Sequence, residues 1–213
     1  MSLNLSSWTR PDKGALFVVS GASGTGKTTL LREALRHVPF LSFSVSATTR
    51  PARVGETEGV DYLFLNPVQF QAHVDAGNFL EHAKVYGNHY GTLRTPVQDA
   101  LAQGMSVVLD IDIQGARQVR ESMPDGIGVF LAPTSIEVLE QRLRARGTEA
   151  EQTITLRMAQ VQEQLNGCGE FKYVVVNDVL SCAHDCLQAV FVAELQKVDR
   201  RQSVIQGLTR QDG

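Results

Sequence analysis

Little in this sequence could staple a fold from outside its own core. Only 3 of the 213 residues are cysteine and 1 is tryptophan. An odd set of cysteines, Cys168, Cys182 and Cys186, makes a poor disulfide framework. Cys182, His184 and Cys186 lie close in sequence, but residues two apart on a helix do not share a face. No second ligand pair follows at metal spacing, so packing within a helix is the better reading. No window approaches the roughly 18 consecutive apolar residues of a membrane helix. The opening MSLNLSSWTRPDKG also lacks the apolar stretch of a signal peptide. Basic charge is not in excess, with 20 Lys+Arg against 23 Asp+Glu and a net charge of −3. That speaks against a general nucleic-acid binder, a class usually marked by a strongly basic domain. These absences predict a soluble, cytoplasmic globular protein with neither a nucleic-acid nor a membrane partner.

What is present is an alternation of strands and helices around one core, the size expected for a single domain carrying inserts. Ala15–Ser20 is a short apolar run that reads as a buried strand, followed by a glycine-rich turn. Residues 28–37 repeat apolar side chains at helical spacing through Leu30, Leu31, Ala34 and Leu35, and Pro39 stops them. Phe40–Ala47 reads as a second strand. Between Thr48 and Gly91 glycines become frequent, and Val60, Tyr62 and Phe64 alternate with polar neighbours. Asn66-Pro67 is a helix start reaching about Gly77. This stretch predicts an inserted lobe with its own small sheet. Thr95-Pro96 then opens a helix to Gly104, Ser106–Asp112 is a strand, Gln114–Ser122 a helix and Gly126–Ala132 a strand. Thr134-x-x-Glu137 reads as a capping box. Residues 146–165 are polar and suit an exposed helical lid, Tyr173–Asn177 is a last buried strand, and Ala183–Val198 a closing helix. Leu187, Val190, Phe191 and Leu195 on that helix serve either the core or a subunit interface, which leaves a homo-oligomer open. Residues 1–13 and 199–213 read as tails. Five strands mostly separated by helices predict an α/β fold with a parallel sheet covered on both faces.

Gly21-Ala22-Ser23-Gly24-Thr25-Gly26-Lys27-Thr28 fits G-x-x-x-x-G-K-[ST], with a strand before it and a helix beginning inside it. Glycines at 21, 24 and 26 let backbone N–H groups approach phosphate oxygens, and the helix presents its positive end to the same anion. Lys27 is placed for the β- and γ-phosphates, and the Thr28 hydroxyl for Mg²⁺. The chain is therefore expected to bind a nucleoside triphosphate. Asp110 and Asp112, two apart at the end of an apolar strand, should project from one face, to hold Mg²⁺ through water or to orient an acceptor. Capping of the next helix is the alternative. Arg50 and Arg53, three apart in a loop set by Pro and Gly, offer two guanidinium forks for one phosphate, with Tyr62 adding a hydroxyl.

On these motifs the sequence resembles the guanylate kinases. Beside the phosphate loop stand Ser44-Val-Ser46-Ala-Thr-Thr-Arg50, Gly55-Glu56-x-x-Gly59-x-Asp61-Tyr62, Phe79-Leu-Glu81, Tyr90-Gly-Thr92, Asp110-Ile-Asp112-x-Gln114-Gly115, Arg142–Glu149 and Val175–Asp178. They span residues 14–198 in the order of that family. The resemblance implies a three-layer P-loop kinase core with a parallel sheet (1–45, 93–133 and 166–213), a GMP-binding lobe (46–92) and a helical lid (134–165). It implies that Ser46, Glu81 and Thr92 meet the guanine base, that Arg50, Arg53, Tyr62 and Tyr90 hold the GMP phosphate, and that Asp112 faces GMP. Arg142, Arg146 and Arg157 would be lid arginines closing over the phosphates, and Asn177 would lie on the ATP side. Two departures stand out: the proline of the usual R-x-P-R has moved to Pro51, and Thr92 stands where many members carry Ser.

The chemistry fits. Guanine offers adjacent N1–H and N2–H₂ donors that one carboxylate accepts together, whereas adenine presents a lone pair at N1. A buried acid left unmatched in this way can cost on the order of 10⁴-fold in kcat/KM. The expected reaction is in-line transfer of the ATP γ-phosphoryl group to GMP, giving ADP and GDP, with charge neutralised by Mg²⁺, Lys27, the loop amides and the converging arginines Arg50, Arg142, Arg146 and Arg157. The alternatives are a non-catalytic guanylate-kinase-like protein-binding module, a kinase of another nucleotide or a phospho-sugar, and a P-loop hydrolase.

Overall fold

A computed structural model of the chain describes residues 8–22, 25–85, 87–145, 158, 161–162 and 164–209, with backbone alone for Gln141, Arg142, Leu143, Ala145 and Thr209. Its elements are β1 (Leu16–Gly21), α1 (Lys27–His37), β2 (Leu41–Phe43), β3 (Ser46–Thr48), β4 (Tyr62–Phe64), α2 (Pro67–Asp75), β5 (Phe79–Val85), β6 (Asn88–Leu93) and α3 (Arg94–Ala102). They continue with β7 (Ser106–Asp110), α4 (Ile113–Ser122), β8 (Ile127–Ala132), α5 (Ile136–Ala145), β9 (Tyr173–Val176), α6 (Leu180–Leu195) and α7 (Gln202–Thr209).

The central sheet runs β2-β7-β1-β8-β9 and every pair in it is parallel. Parallel strands need helical crossovers, and these cover both faces. On one face Phe17, Val19, Val129 and Leu131 pack against Leu30, Leu31 and Ala34 of α1 and Leu187, Phe191 and Leu195 of α6. The rings of Phe17 and Phe191 lie 4.5 Å apart at their centroids. Leu187, Phe191 and Leu195 of α6 are thus spent on the core. On the other face Leu16, Val18 and Leu109 pack against Val97 and Leu101 of α3 and Ala116 and Val119 of α4.

A second sheet, in the order β4-β3-β6-β5, is formed entirely by residues 46–93. Alternation gives each of its strands an inner and an outer side chain. Ala47 and Phe79 are buried with Leu63, Leu65, Leu93 and Phe70 of α2, leaving Ser46, Tyr62 and Tyr90 for the opposite face, and a register shift in β5 between Phe79 and Glu81 turns Glu81 to that face as well. Helix α2 starts where Asn66-Pro67 predicts. The Asn66 side chain accepts from the Gln69 N–H at 2.8 Å, and the Gln69 side chain accepts from the Asn66 N–H at 2.9 Å.

Several sequence expectations need correction. Phe40–Ala47 is not one strand: Phe40 has a left-handed φ of 61°. Ser44 makes the last hydrogen bond to β7, through the Val108 carbonyl at 3.1 Å, and the chain then crosses to the second sheet. Val60 lies outside β4, in an exposed turn. Helix α3 begins at Arg94, one residue before Thr95-Pro96. The box at Thr134 shifts by one residue, because Ser135 Oγ caps Val138 N at 3.2 Å while Thr134 donates to Asp178 at 3.2 Å. β9 is an edge strand, with Val174 and Val176 53% and 51% exposed and only Val175 buried. The stretch read as an exposed lid contributes Val161, fully buried against Ala22 and Leu139. The supposed tails are tied together: Arg200 donates to the Gly14 carbonyl at 2.6 Å, Asp12 accepts from the Ser203 N–H at 2.8 Å, and residues 202–209 form α7.

Candidate active site

Two cavities open beyond the carboxyl ends of the central strands, where parallel sheets place ligands. The first, about 400 Å³, is lined by Gly21, Ala22, Thr25, Gly26, Lys27, Thr28, Thr29, Asp110, Asp112 and Gln164. Gly26 is the N-cap of α1 with φ 81°, a conformation that side-chain-bearing residues rarely adopt. A Cβ there would also meet the Asn177 amide at 3.1 Å. Thr25 folds the loop on itself, its hydroxyl donating to the Ala22 carbonyl at 2.8 Å. Lys27 and Thr28, the first two residues of α1, both reach Asp110. The ammonium stands 3.2 Å from Oδ1, and the hydroxyl donates to Oδ2 at 3.4 Å. The cradle therefore carries a positive helix end and a lysine, with the Asp110 carboxylate answering them.

The second cavity, about 280 Å³, is lined by Ser46, Tyr62, Glu81, Ala83, Val85, Tyr90, Gly91, Asp110, Ile111 and Asp112. Register assembles it: Ser46 pairs with Tyr62, Ala83 with Tyr90, and Glu81 with Thr92. Glu81 is only 6% exposed and accepts a 2.7 Å hydrogen bond from the buried Thr92 hydroxyl. Burial, and then the nearby Asp112 carboxylate, push the Glu81 carboxyl above its usual range, while the Thr92 bond pulls the other way. No cation pairs with it among the hydrogen bonds and ion pairs of the described residues. Asp110 and Asp112 line both cavities, so the two spaces adjoin.

The two aspartates line the same cavities from different elements. β7 ends at Asp110, and Asp112 is the N-cap of α4, its Oδ1 accepting from Gly115 N at 2.8 Å. The capping alternative is realised for Asp112, which nevertheless still lines both cavities. The arginines also differ from expectation. Arg50 is buried and makes a bidentate pair with Glu56, at 2.7 and 2.6 Å, with its guanidinium 4.8 Å from the Tyr62 ring centroid. Its Nη1 also donates to the carbonyl of the shifted Pro51 at 2.9 Å. The Arg50 guanidinium, with the Arg53 N–H, holds the Glu56 carboxyl down at about 2, and Arg50 is raised in turn. Arg53 is exposed, and its backbone N–H, at 2.8 Å, is what meets Glu56. Neither arginine lines either cavity. Asn177 stands behind the phosphate loop, donating to the Thr25 carbonyl at 2.5 Å. Ser23, Gly24, Arg146, Arg157 and the Arg142 side chain lie outside the described residues.

Two participants were not singled out from sequence. Glu56, quoted only as part of a motif, is the anchor of Arg50; an acid three and six residues from two arginines was the available signal. Gln164 lines the first cavity from a stretch whose composition offers none.

The geometry has relatives. A profile described as guanylate kinase matches residues 13–194. A guanylate kinase of Carboxydothermus hydrogenoformans is 48% identical, over 88% of this chain and 92% of that protein. One of Symbiobacterium thermophilum is 46% identical, over 91% and 92%. The crystal structure of guanylate kinase from Anaplasma phagocytophilum superposes with a TM-score of 0.72 at 30% identity, over 95% of this chain and 97% of that one.

Proposed function

The chain belongs to the guanylate kinase family and is a nucleoside monophosphate kinase, transferring the ATP γ-phosphoryl group to GMP, and we propose how its own residues divide that work. The observation that carries the division is the pair of adjoining cavities with Asp110 and Asp112 as common wall. ATP phosphates occupy the first, cradled by the amides of 21–28, the α1 N-terminus and Lys27. GMP occupies the second, its phosphate turned toward that wall.

Glu81 reads the base. Thr92 fixes one of its oxygens, and the carboxylate accepts N1–H and N2–H₂ of guanine together, with Ser46 beside it. A neutral pair of donors meets a buried acid that has no cation, which favours guanine and leaves adenine with an unmatched lone pair. Tyr62 and Tyr90 flank the GMP phosphate. Arg50, held by Glu56 against Tyr62, is poised one residue layer away, and Arg53, Arg142, Arg146 and Arg157 complete the charge around the transferring group. Asn177 braces the phosphate loop from behind. The GMP phosphate, with a second pKa near 6, is largely dianionic at neutral pH. No general base is assigned, and these residues neutralise charge, align the reactants and exclude water. Residues 46–92 act as the GMP lobe, 134–165 as the lid and the remainder as the core, with the reaction taking place in the cytoplasm.

Thr28 and Asp110 fit Mg²⁺: they are hard oxygen donors converging at one partly open point of the first cavity, leaving room for water and phosphate oxygens. Bound there with ATP, Mg²⁺ supplies charge neutralisation at the β- and γ-phosphates. Among the described residues no helix is long and apolar enough to cross a membrane.

An acceptor panel tests the reading. With ATP and Mg²⁺, coupled ADP release should favour GMP over AMP and UMP by at least about 10³-fold in kcat/KM. A preference for AMP or UMP, or ADP release that ignores added GMP, contradicts it.

A further inference from the structure

Helix α4 touches the base-reading strand with a single stripe. Gly115, Gln118 and Ser122 lie at i, i+3 and i+7, one face of a helix, and meet three consecutive residues of β5. The Ser122 hydroxyl donates to the Leu80 carbonyl at 3.3 Å. The Gln118 side-chain amide makes two bonds to the His82 backbone, accepting from its N–H at 3.0 Å and donating to its carbonyl at 3.1 Å. β5 is the edge of its sheet, so a primary amide stands where a further strand would have paired. Between these two clamps lies Glu81. A Cβ built on Gly115 would come within 2.9 Å of Glu81 Oε2 and 3.4 Å of its carboxyl carbon.

Gly115 is helical and has no positive φ, so the backbone does not demand glycine. It sits in the first turn of α4, where other residues would serve equally well, and the closeness of Glu81 is the contact a side chain there would have to displace. The same residue's N–H donates to Asp112, so Gly115 meets two of the three acids that line the second cavity. At its start α4 follows directly from β7, whose register with β1 pairs Asp110 with Val19 two residues before the phosphate loop.

We propose that α4 is the gauge between the phosphate cavity and the base-reading carboxylate, and that Gly115 and Gln118 are positioning residues that set guanine specificity through Glu81. The inference rests on the assignment of Glu81 to the guanine edge. The helix holds the backbone of residues 80–82 in place, and the missing side chain at 115 leaves the space in which the carboxylate sits square to N1–H and N2–H₂. A displacement of a few tenths of an ångström would break that two-point match and leave the ATP site unaltered.

The test compares Gly115→Ala, Gln118→Met and Glu81→Gln in the full chain, reading KM for GMP, KM for ATP and the GMP/IMP ratio of kcat/KM, since IMP lacks the 2-amino donor. Gly115→Ala should raise KM for GMP about 10-fold and cut the GMP/IMP ratio about 5-fold, with KM for ATP within about twofold. Gln118→Met, which keeps length but loses both amide bonds, should move the same quantities about threefold. If Gly115→Ala does not fold, Gln118→Met decides alone. Unchanged GMP parameters in folded variants overturn the proposal. So does a joint rise of both KM values with a lowered melting temperature, which marks a merely structural role. If Glu81→Gln leaves the GMP/IMP ratio intact, the base-reading assignment itself fails. If Glu81→Gln collapses the ratio while both α4 variants are silent, only the gauge fails.

Discussion

In the phosphate cavity nearly every lining residue comes from two short stretches, 21–29 and 110–112, and Asp110 is answered by Lys27 at 3.2 Å. In the base cavity most of the lining comes from four strands of the second sheet, joined by residues 110–112, and Glu81 has a hydroxyl rather than a cation for its partner. An anion cradle is made largely of consecutive backbone amides and a helix end, so it is compact in sequence and built to receive charge. A base reader needs side chains at set angles around a flat ring, which only a sheet face assembled from distant strands supplies. Asp110 is neutralised beforehand by Lys27. Glu81 is left for the ligand to satisfy.

The largest effect expected from breaking this contrast is on the phosphate side. Lys27→Met removes the charge that meets both Asp110 and the phosphates. It should lower kcat about 10³-fold in the ADP-release assay, with the GMP/AMP preference unchanged. Glu81→Gln works in the opposite sense. It should cost about 10²-fold in kcat/KM for GMP and change AMP turnover little, because two bonds to a charged acceptor are weakened only for guanine. If Lys27→Met altered base preference, or Glu81→Gln slowed all acceptors equally, the two cavities would not be separate devices.

The smallest catalytic effect belongs to a charge cluster outside both cavities. Glu194 is buried on α6. Against the cost of that burial, hydrogen bonds from Lys172, Lys197 and Tyr173 hold its carboxyl down at about 2. Its folded pKa lies below the usual 4.5, so its contribution is present above that value and is lost as pH falls from about 4.5 toward 2. Glu194→Gln should destabilise the protein by about 2 kcal/mol at neutral pH, or roughly 4–8 °C in Tm. That gap should close in acid, with turnover below the melting range unchanged.

The contrast also explains what the sequence could reveal. The phosphate loop, the Asn66-Pro67 helix start and the α1 periodicity are local patterns, and they fall where the residues put them. The break at Ser44 was hidden because Phe40–Ala47 alternates apolar residues with small serines in one continuous β-forming pattern; the chain leaves β7 after bonding the Val108 carbonyl, two residues before that strand ends, and crosses to the second sheet. Asp112 alternates with Asp110 as a strand residue should, yet the turn into α4 claims its side chain as a cap. Glu56 took Arg50 because an unliganded guanidinium this buried needs an acid, and its pairing is a tertiary fact. The apparent tails contain Asp12, Arg200 and Arg201, whose partners lie some 190 residues away in sequence and leave no periodic trace.

The central claim, that a buried carboxylate reads guanine on one side of a wall while phosphates are cradled on the other, is tested most directly by a crystal structure with GMP bound. Guanine N1 and N2 should lie within hydrogen-bonding distance of the Glu81 carboxylate, with the GMP phosphate turned toward Asp110 and Lys27. A purine seated elsewhere, or bound with its N1–N2 edge turned away from Glu81, would contradict it.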